Sequence, residues 1–247
     1  EVWPNCVCEA KKIECPVVLV NARLSRRSEA RFQKLRWIAA PIFNQISTLC
    51  LQEPSDKERW ISLGVEPTKL HVTGSIKFDD AAAAPRPERD FWPVLETLGV
   101  TRGSPTIVAG STFEGEELLV SEVYQNLRKA HPNLFLIIVP RHQERSNDVA
   151  AQLQQRGLKV ARRTDSSPDE KPDLLLVDTT GELANWYRCA SVVFIGKSLL
   201  AEGGQNPAEA VAAGVPVVFG PNMQNFASLV SSFLKAKGAM EVRDAES

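Results

Sequence analysis

Two glycines, two side-chain amides, a proline and a carboxylate follow one another in GGQNPAEAVAAGVPVVFGP, Gly203 to Pro221. The run reads as a turn, a helix and a buried strand. A structural helix start needs one capping residue and at most a proline in its first turn. This one gathers backbone N–H groups, the amides of Gln205 and Asn206, and the carboxylate of Glu209, with Asn206 and Pro207 setting the helix start and Ala208 following. Backbone donors at a helix N-terminus suit an anionic group. A carboxylate one turn into the helix can accept both hydrogens of a vicinal diol, a common way to hold a ribose.

Three further stretches place small or ionisable residues after a strand. GSTFEGEE, Gly110 to Glu117, offers Gly110 and Ser111 at a turn whose N–H groups can bind phosphate. It reads equally as an N-cap followed by acidic residues that favour the helix dipole. In VPRHQER, Pro140 ends a strand and Arg141 projects at its carboxyl edge, where a guanidinium fork suits phosphate. A solvated Arg–His pair is the alternative. In DTTGEL, Thr180, Gly181 and Glu182 follow a strand and open a helix, with capping again the other reading. GxGxxG after the first strand, GxxxxGK[ST], HExxH and a Ser–His–Asp order are all missing from the sequence. The constellation is that of a nucleotide held at a sheet edge, with no metal or cofactor expected.

The elements that position these residues read as α/β. Strands are expected at Pro16–Ala22, Ser47–Gln52 and Lys69–Gly74, with helices at Ser25–Ile38 and Ser55–Leu63 between them. Residues 1–80 are thus expected to form part of one α/β domain. A linker rich in Ala, Pro and charge follows at 81–90. From 91 to 247 the alternation is more regular. Strands PTIVAG, LFLIIVP, LKVARR, DLLLVD, SVVFIG and, last, VPVVFG alternate with helices near 114–129, 143–155 and 182–189 and one within GGQNPAEAVAAG. Near-continuous apolar strands alternating with helices imply a parallel sheet covered on both faces, a Rossmann-like domain. In such sheets ligands sit beyond the carboxyl ends of the strands, and the four loops fall there.

Composition sets the bounds. The 247 residues are 43% hydrophobic and 24% charged with a net charge of −1, which makes no electrostatic case for nucleic acid. No apolar run approaches the roughly 18–20 residues that span a bilayer. The chain starts at Glu1 without methionine or signal peptide and is expected to be the interior of a longer protein. Cys6, Cys8 and Cys15 lie close together with no nearby histidine, and Cys50 and Cys189 are isolated, so free thiols are expected rather than a zinc site.

The chain resembles the Kdo transferases, which move 3-deoxy-D-manno-octulosonic acid (Kdo) from CMP-Kdo onto lipid A precursor. The carriers are EVWPN, NARLSRRS, TGSIKFD, GSTFEGEE, VPRH, DTTGEL and GGQNPAEA, in order along almost the whole chain. The resemblance implies a GT-B fold and a metal-independent, inverting transfer. It places CMP-Kdo against Pro140, Arg141, Thr180, Gly181, Glu182 and Asn206 to Glu209. By the same resemblance Glu1 and Lys77 assist the transition state, Lys77 by neutralising developing negative charge. The general base, a glutamate, is expected outside this chain. Arg23, Arg26, Arg27 and Arg31 form a basic cluster that reads either as a solvated helix face or as a contact for anionic lipid A phosphates and the inner-membrane surface. The implied site of action is the cytoplasmic face of the bacterial inner membrane. Phe113 and Gln205 depart from the family pattern, standing where many members carry histidine. A UDP-sugar-dependent GT-B transferase or epimerase and an inactive nucleotide-binding fragment are the rival readings.

Overall fold

The computed structural model describes residues 2–76, 89–165 and 170–244, with the side chains of Arg26 and Ser228 excepted. The chain divides into two compact units, Glu1–Ala83 and Ala84–Ser247. The expected linker at 81–90 lies outside the described residues up to residue 88.

In the first unit three parallel strands, β1 (Val18–Ala22), β2 (Thr48–Leu51) and β3 (Leu70–Val72), form a sheet in the order β1-β2-β3. Helices α1 (Pro4–Lys12), α2 (Arg26–Lys34), α3 (Arg36–Phe43) and α4 (Pro54–Ser62) accompany them. The single helix expected over Ser25–Ile38 is two, because Leu35 leaves helical geometry at φ −112° and caps both. The break lets the Phe43 ring meet Phe32 and Trp60 edge-on, with centroids 5.3 and 5.1 Å apart. Leu49, Leu51, Leu63 and Ile46 complete that core.

The second unit holds seven parallel strands: β4 (Thr106–Thr112), β5 (Phe135–Pro140), β6 (Val160–Arg162), β7 (Leu174–Leu176), β8 (Val192–Ile195), β9 (Val217–Phe219) and β10 (Ala239–Glu241). Their order is β10-β9-β8-β4-β5-β7-β6. Helices are α5 (Trp92–Thr97), α6 (Glu116–Ala130), α7 (Ser146–Gln155), α8 (Leu183–Tyr187), α9 (Ala208–Ala212) and α10 (Ala227–Lys235). Successive strand residues face opposite sides. Val108, Ile137, Leu175 and Val193 pack with Trp186, Tyr187 and Phe219 on one face. Ile107, Leu136, Leu174 and Phe194 pack with Tyr124, Val149 and Leu153 on the other. Both faces being covered, the central strands must be apolar throughout, as read from the sequence. Three elements extend the expected pattern: α5, α10 and β10, so that VPVVFG supplies the penultimate strand rather than the last.

Glycine is required where backbones meet. A Cβ on Gly196 would lie 2.3 Å from the Ser111 carbonyl oxygen and 2.4 Å from Thr112 Cα. Gly181 (φ 80°) has open space around it and is constrained by its dihedral alone. Gly196→Ala should therefore cost at least about 3 kcal/mol, and Gly181→Ala only about 1 kcal/mol, read from urea unfolding midpoints. Tyr124 supplies a second test. Its hydroxyl donates to the Asp173 carbonyl at 2.6 Å, and burial pushes the phenol from 10.0 up to about 12. The folded chain keeps a proton that the unfolded chain loses, so this contribution is full below pH 10 and is lost as pH rises through 12. Between pH 9 and 11 the unfolding midpoint should fall more steeply for the wild type than for Tyr124→Phe.

Candidate functional site

Strand order reverses between β4 and β8: the chain runs outward from β4 through β5 on one side, then returns to β8 on the other. The carboxyl ends of these strands define the crevice where doubly wound sheets take ligands. Here β4 runs two residues past its expected end, to Thr112, through a bulge at Ser111 (φ 54°). Gly110 and Ser111 are thus strand residues, not a turn. Beneath Gly110 stands Tyr187, whose hydroxyl would be 2.2 Å from an added Cβ.

A buried carboxylate holds the two sides of this crevice together. Glu116, with no exposed surface, accepts from the Phe113 N–H at 2.9 Å, Lys197 at 2.6 Å, Ser198 at 2.9 Å and Leu199 at 3.0 Å. Its neighbour Glu117, equally buried, accepts from Thr112 Oγ1 at 3.0 Å and from Arg145 Nη1 at 3.0 Å. From sequence these acids read equally as helix-dipole residues or as part of a phosphate-binding turn. The doubled Glu in GSTFEGEE was the available signal, but, Phe113 and Thr112 apart, their partners lie 28 to 83 residues away. The structure thereby brings in Arg145 and Lys197, which the sequence reading had not singled out as site residues. Ser198 extends the connection to β9, its hydroxyl accepting from the Gly220 N–H at 2.8 Å.

The glycine pair turns out to be structural. Gly203 (φ 103°) donates to Gln224 Oε1 at 2.9 Å, and Gly204 (φ 67°) donates to the Lys197 carbonyl at 3.0 Å. A Cβ on Gly204 would sit 2.4 Å from Met223 Sδ. These N–H groups, expected to serve a ligand, are used inside the protein. Asn206 Oδ1 likewise accepts from the Ala208 N–H at 3.0 Å, while Pro207 is buried. Glu209, half-buried in the first turn of α9, reaches Tyr187 electrostatically: burial first and then the Glu209 charge push that phenol above its ordinary value. Gly110 and Glu209, from separate loops, thus converge on one side chain.

Around the rim, Thr180 and Gly181 are exposed. Glu182 accepts from Thr179 Oγ1 at 2.7 Å and from Arg163 Nε at 3.2 Å. Pro140 closes β5, and the exposed Arg141 donates its N–H to the Thr112 carbonyl at 3.0 Å. Among the described residues, no group of three or more His, Cys, Asp and Glu side chains is placed to hold a metal.

In the first unit, Glu1 and Lys77 lie outside the described residues. A cavity of about 680 Å³ opens there, lined by Leu19, Phe32, Ile38 and Phe43, with Arg23, Ser28 and Arg31 among its polar residues. Arg27 is exposed and does not line it; the Arg26 side chain is outside the described set. No helix among the described residues is long and apolar enough to cross a membrane.

A seven-stranded parallel sheet with polar loops at its switch point, in a chain carrying a second parallel α/β unit, has the elements of a GT-B nucleotide-sugar enzyme. The UDP-GlcNAc 2-epimerase of Methanocaldococcus jannaschii shares the fold, with a TM-score of 0.60 at 13% identity over 98% of this chain and 64% of that one. The family described as 3-deoxy-D-manno-octulosonic-acid transferase (kdotransferase) matches residues 1–80. The 3-deoxy-D-manno-octulosonic acid transferase of Haemophilus influenzae is 33% identical over 245 residues, 98% of this chain and 56% of the relative. The C-terminal CMP-Kdo binding domain of WaaA from Acinetobacter baumannii superposes with a TM-score of 0.57 at 27% identity, covering 68% of this chain and 82% of that domain. The chain belongs to the Kdo transferase family. It spans about half the length of the curated relatives it matches.

The clasp is directly testable. Glu116→Gln puts an NH2 against N–H donors and removes the charge, and should cost about 3 kcal/mol or more in urea unfolding. Amide exchange at Lys197 to Leu199 should accelerate with it. Glu144→Gln, at an exposed carboxylate near the same loops, should leave both unchanged.

Proposed function

We propose that this chain carries the donor half of a glycosyltransferase that moves Kdo from CMP-Kdo to a lipid A precursor, lipid IVA, with inversion and without a metal. The observation that carries the reading is the likeness of the second unit to a CMP-Kdo binding domain, at 27% identity over 82% of that domain.

In this reading CMP lies across the carboxyl ends of β4 and β8. Glu209, whose charge reaches the buried Tyr187 beneath Gly110, accepts both hydroxyl hydrogens of the ribose. Thr180 and Gly181 border the nucleotide, and Arg141 supplies a bidentate donor to its phosphate. Glu1 and Lys77 stabilise charge on the departing CMP and the sugar carboxylate, as the family resemblance implies.

The acceptor is assigned to the first unit. Its cavity joins an apolar lining to Arg23 and Arg31, a combination suited to acyl chains bearing phosphate groups. Such an acceptor places the enzyme at the cytoplasmic face of the inner membrane, where basic residues also meet anionic lipid.

Calorimetric titration tests the donor assignment. CMP should bind more tightly than UMP, and Glu209→Ala should weaken CMP by about 30-fold or more, the worth of a pair of charge-assisted hydrogen bonds. The same variant should lose the wild type's preference for CMP over 2′-deoxy-CMP. Binding that favours UMP would return the chain to the UDP-sugar enzymes.

A further inference from the structure

Anions at this place in a doubly wound fold are ordinarily cradled by backbone N–H groups. Here those donors are spent. The N–H groups of Lys197, Ser198 and Leu199 all point to Glu116, and those of Gly203 and Gly204 to Gln224 and the Lys197 carbonyl. The charge that receives a donor phosphate must therefore come largely from side chains.

Lys197 stands where such a charge is needed. It is two residues beyond β8, beside the bulged end of β4, and half-buried. Its φ of 55° is a conformation that favours glycine. Its N–H is pinned by Glu116 and its carbonyl by Gly204, so the residue is held in that conformation from both sides. Its ammonium lies over the Phe113 ring, 5.5 Å from the centroid. Among the described residues it has no carboxylate partner in an ion pair. Phe113, which cannot itself donate a hydrogen bond, acquires a purpose as the platform for this cation. Backbone strain of this kind persists where its surroundings over-determine it, and it gathers at ligand clamps.

We propose that Lys197, positioned by Glu116 and Phe113, is a cation that binds, together with Arg141, the phosphate of the nucleotide donor, a nucleoside monophosphate joined to a sugar. The proposal rests on the donor-domain reading above and adds a second group to phosphate recognition.

The test compares CMP with cytidine, which shares base and ribose but lacks the phosphate, in calorimetric titrations of the 247-residue chain. Lys197→Gln should weaken CMP by about tenfold or more while leaving cytidine within about twofold. Lys197→Arg, which keeps the charge, should retain most of the CMP affinity. Lys197→Gly should raise the thermal midpoint by relieving the left-handed backbone, yet weaken CMP as Lys197→Gln does; a purely structural lysine would show the first effect without the second. Equal CMP affinity in wild type and Lys197→Gln would overturn the proposal while a preference for CMP over UMP kept the donor reading intact. A preference for UMP, with both nucleotides weakened in Lys197→Gln, would overturn the donor reading and keep the lysine. Absence of nucleotide binding by the wild-type chain would count against both.

Discussion

The geometry of the second unit turns on the buried carboxylate of Glu116. Where β4 and β8 end, their backbones leave the sheet and their N–H groups lose the ladder that satisfied them. Four of those groups find one side chain, which has no exposed surface. An isolated carboxylate in such a place would be expensive, and so would four unpaired amides; together they offset each other. The carboxylate is therefore both a helix-terminal residue of α6 and a tie to N–H groups 81 to 83 residues further along the chain, beyond β8. Everything nearby inherits its position: the left-handed turn at Lys197, the Ser198 hydroxyl that links β8 to Gly220, and the Phe113 backbone that starts the next loop.

That tie explains why small residues sit at the strand ends. Gly110 admits the Tyr187 hydroxyl, Gly196 the Ser111–Thr112 backbone and Gly220 the backbone at Ser198. With loops seated this closely, the crevice is built from backbone packed on backbone, and its internal donors are largely paired before a ligand arrives. Recognition then falls to side chains at the rim and to Glu209. A pre-formed site of this kind pays little ordering entropy on binding, which favours a small, charged, repeatedly exchanged ligand such as a nucleotide.

Much of this was legible in the sequence, and the pattern of what was not is physical. Continuous apolar runs such as FLIIVP announce strands buried on both faces, and all six residues of β5 are buried. The strand-end loops stood out because glycines, hydroxyls and carboxylates collect there, and the structure gives several of them a structural task. The short elements escaped. Strand β10 is AME, held by its pairing with β9, and α10 begins ASLVSS, whose serines carry weak helix preference. The division at Leu35 was invisible because apolar and charged residues continue in helical spacing across it. At the site, residue types could be read but their bonding could not. Glu116 and Glu117 have the spacing of dipole-stabilising acids, and only tertiary contact shows that they face inward. Gly203 and Gly204 advertise exposed amides, and only the approach of Gln224 and of the Lys197 carbonyl shows those amides already paired.

In the proposed reading the two units use different physics for two kinds of ligand. The second unit would receive a charged, flat nucleotide against closely packed backbone and a few side chains. Tyr187 illustrates the arrangement: burial first, and then the nearby Glu209 charge, push its phenol above the ordinary value. The first unit offers instead a roomy, mostly apolar cavity with arginines among its lining residues. An amphiphile needs that combination, because its acyl chains gain from any apolar volume and tolerate imprecision, whereas its phosphates need charge but not exact register. A transferase that joins a soluble sugar nucleotide to a lipid must hold the first tightly enough to orient a reacting carbon and the second loosely enough to release it to the membrane. A rigid crevice in one unit and an adaptable cavity in the other meet those opposing demands.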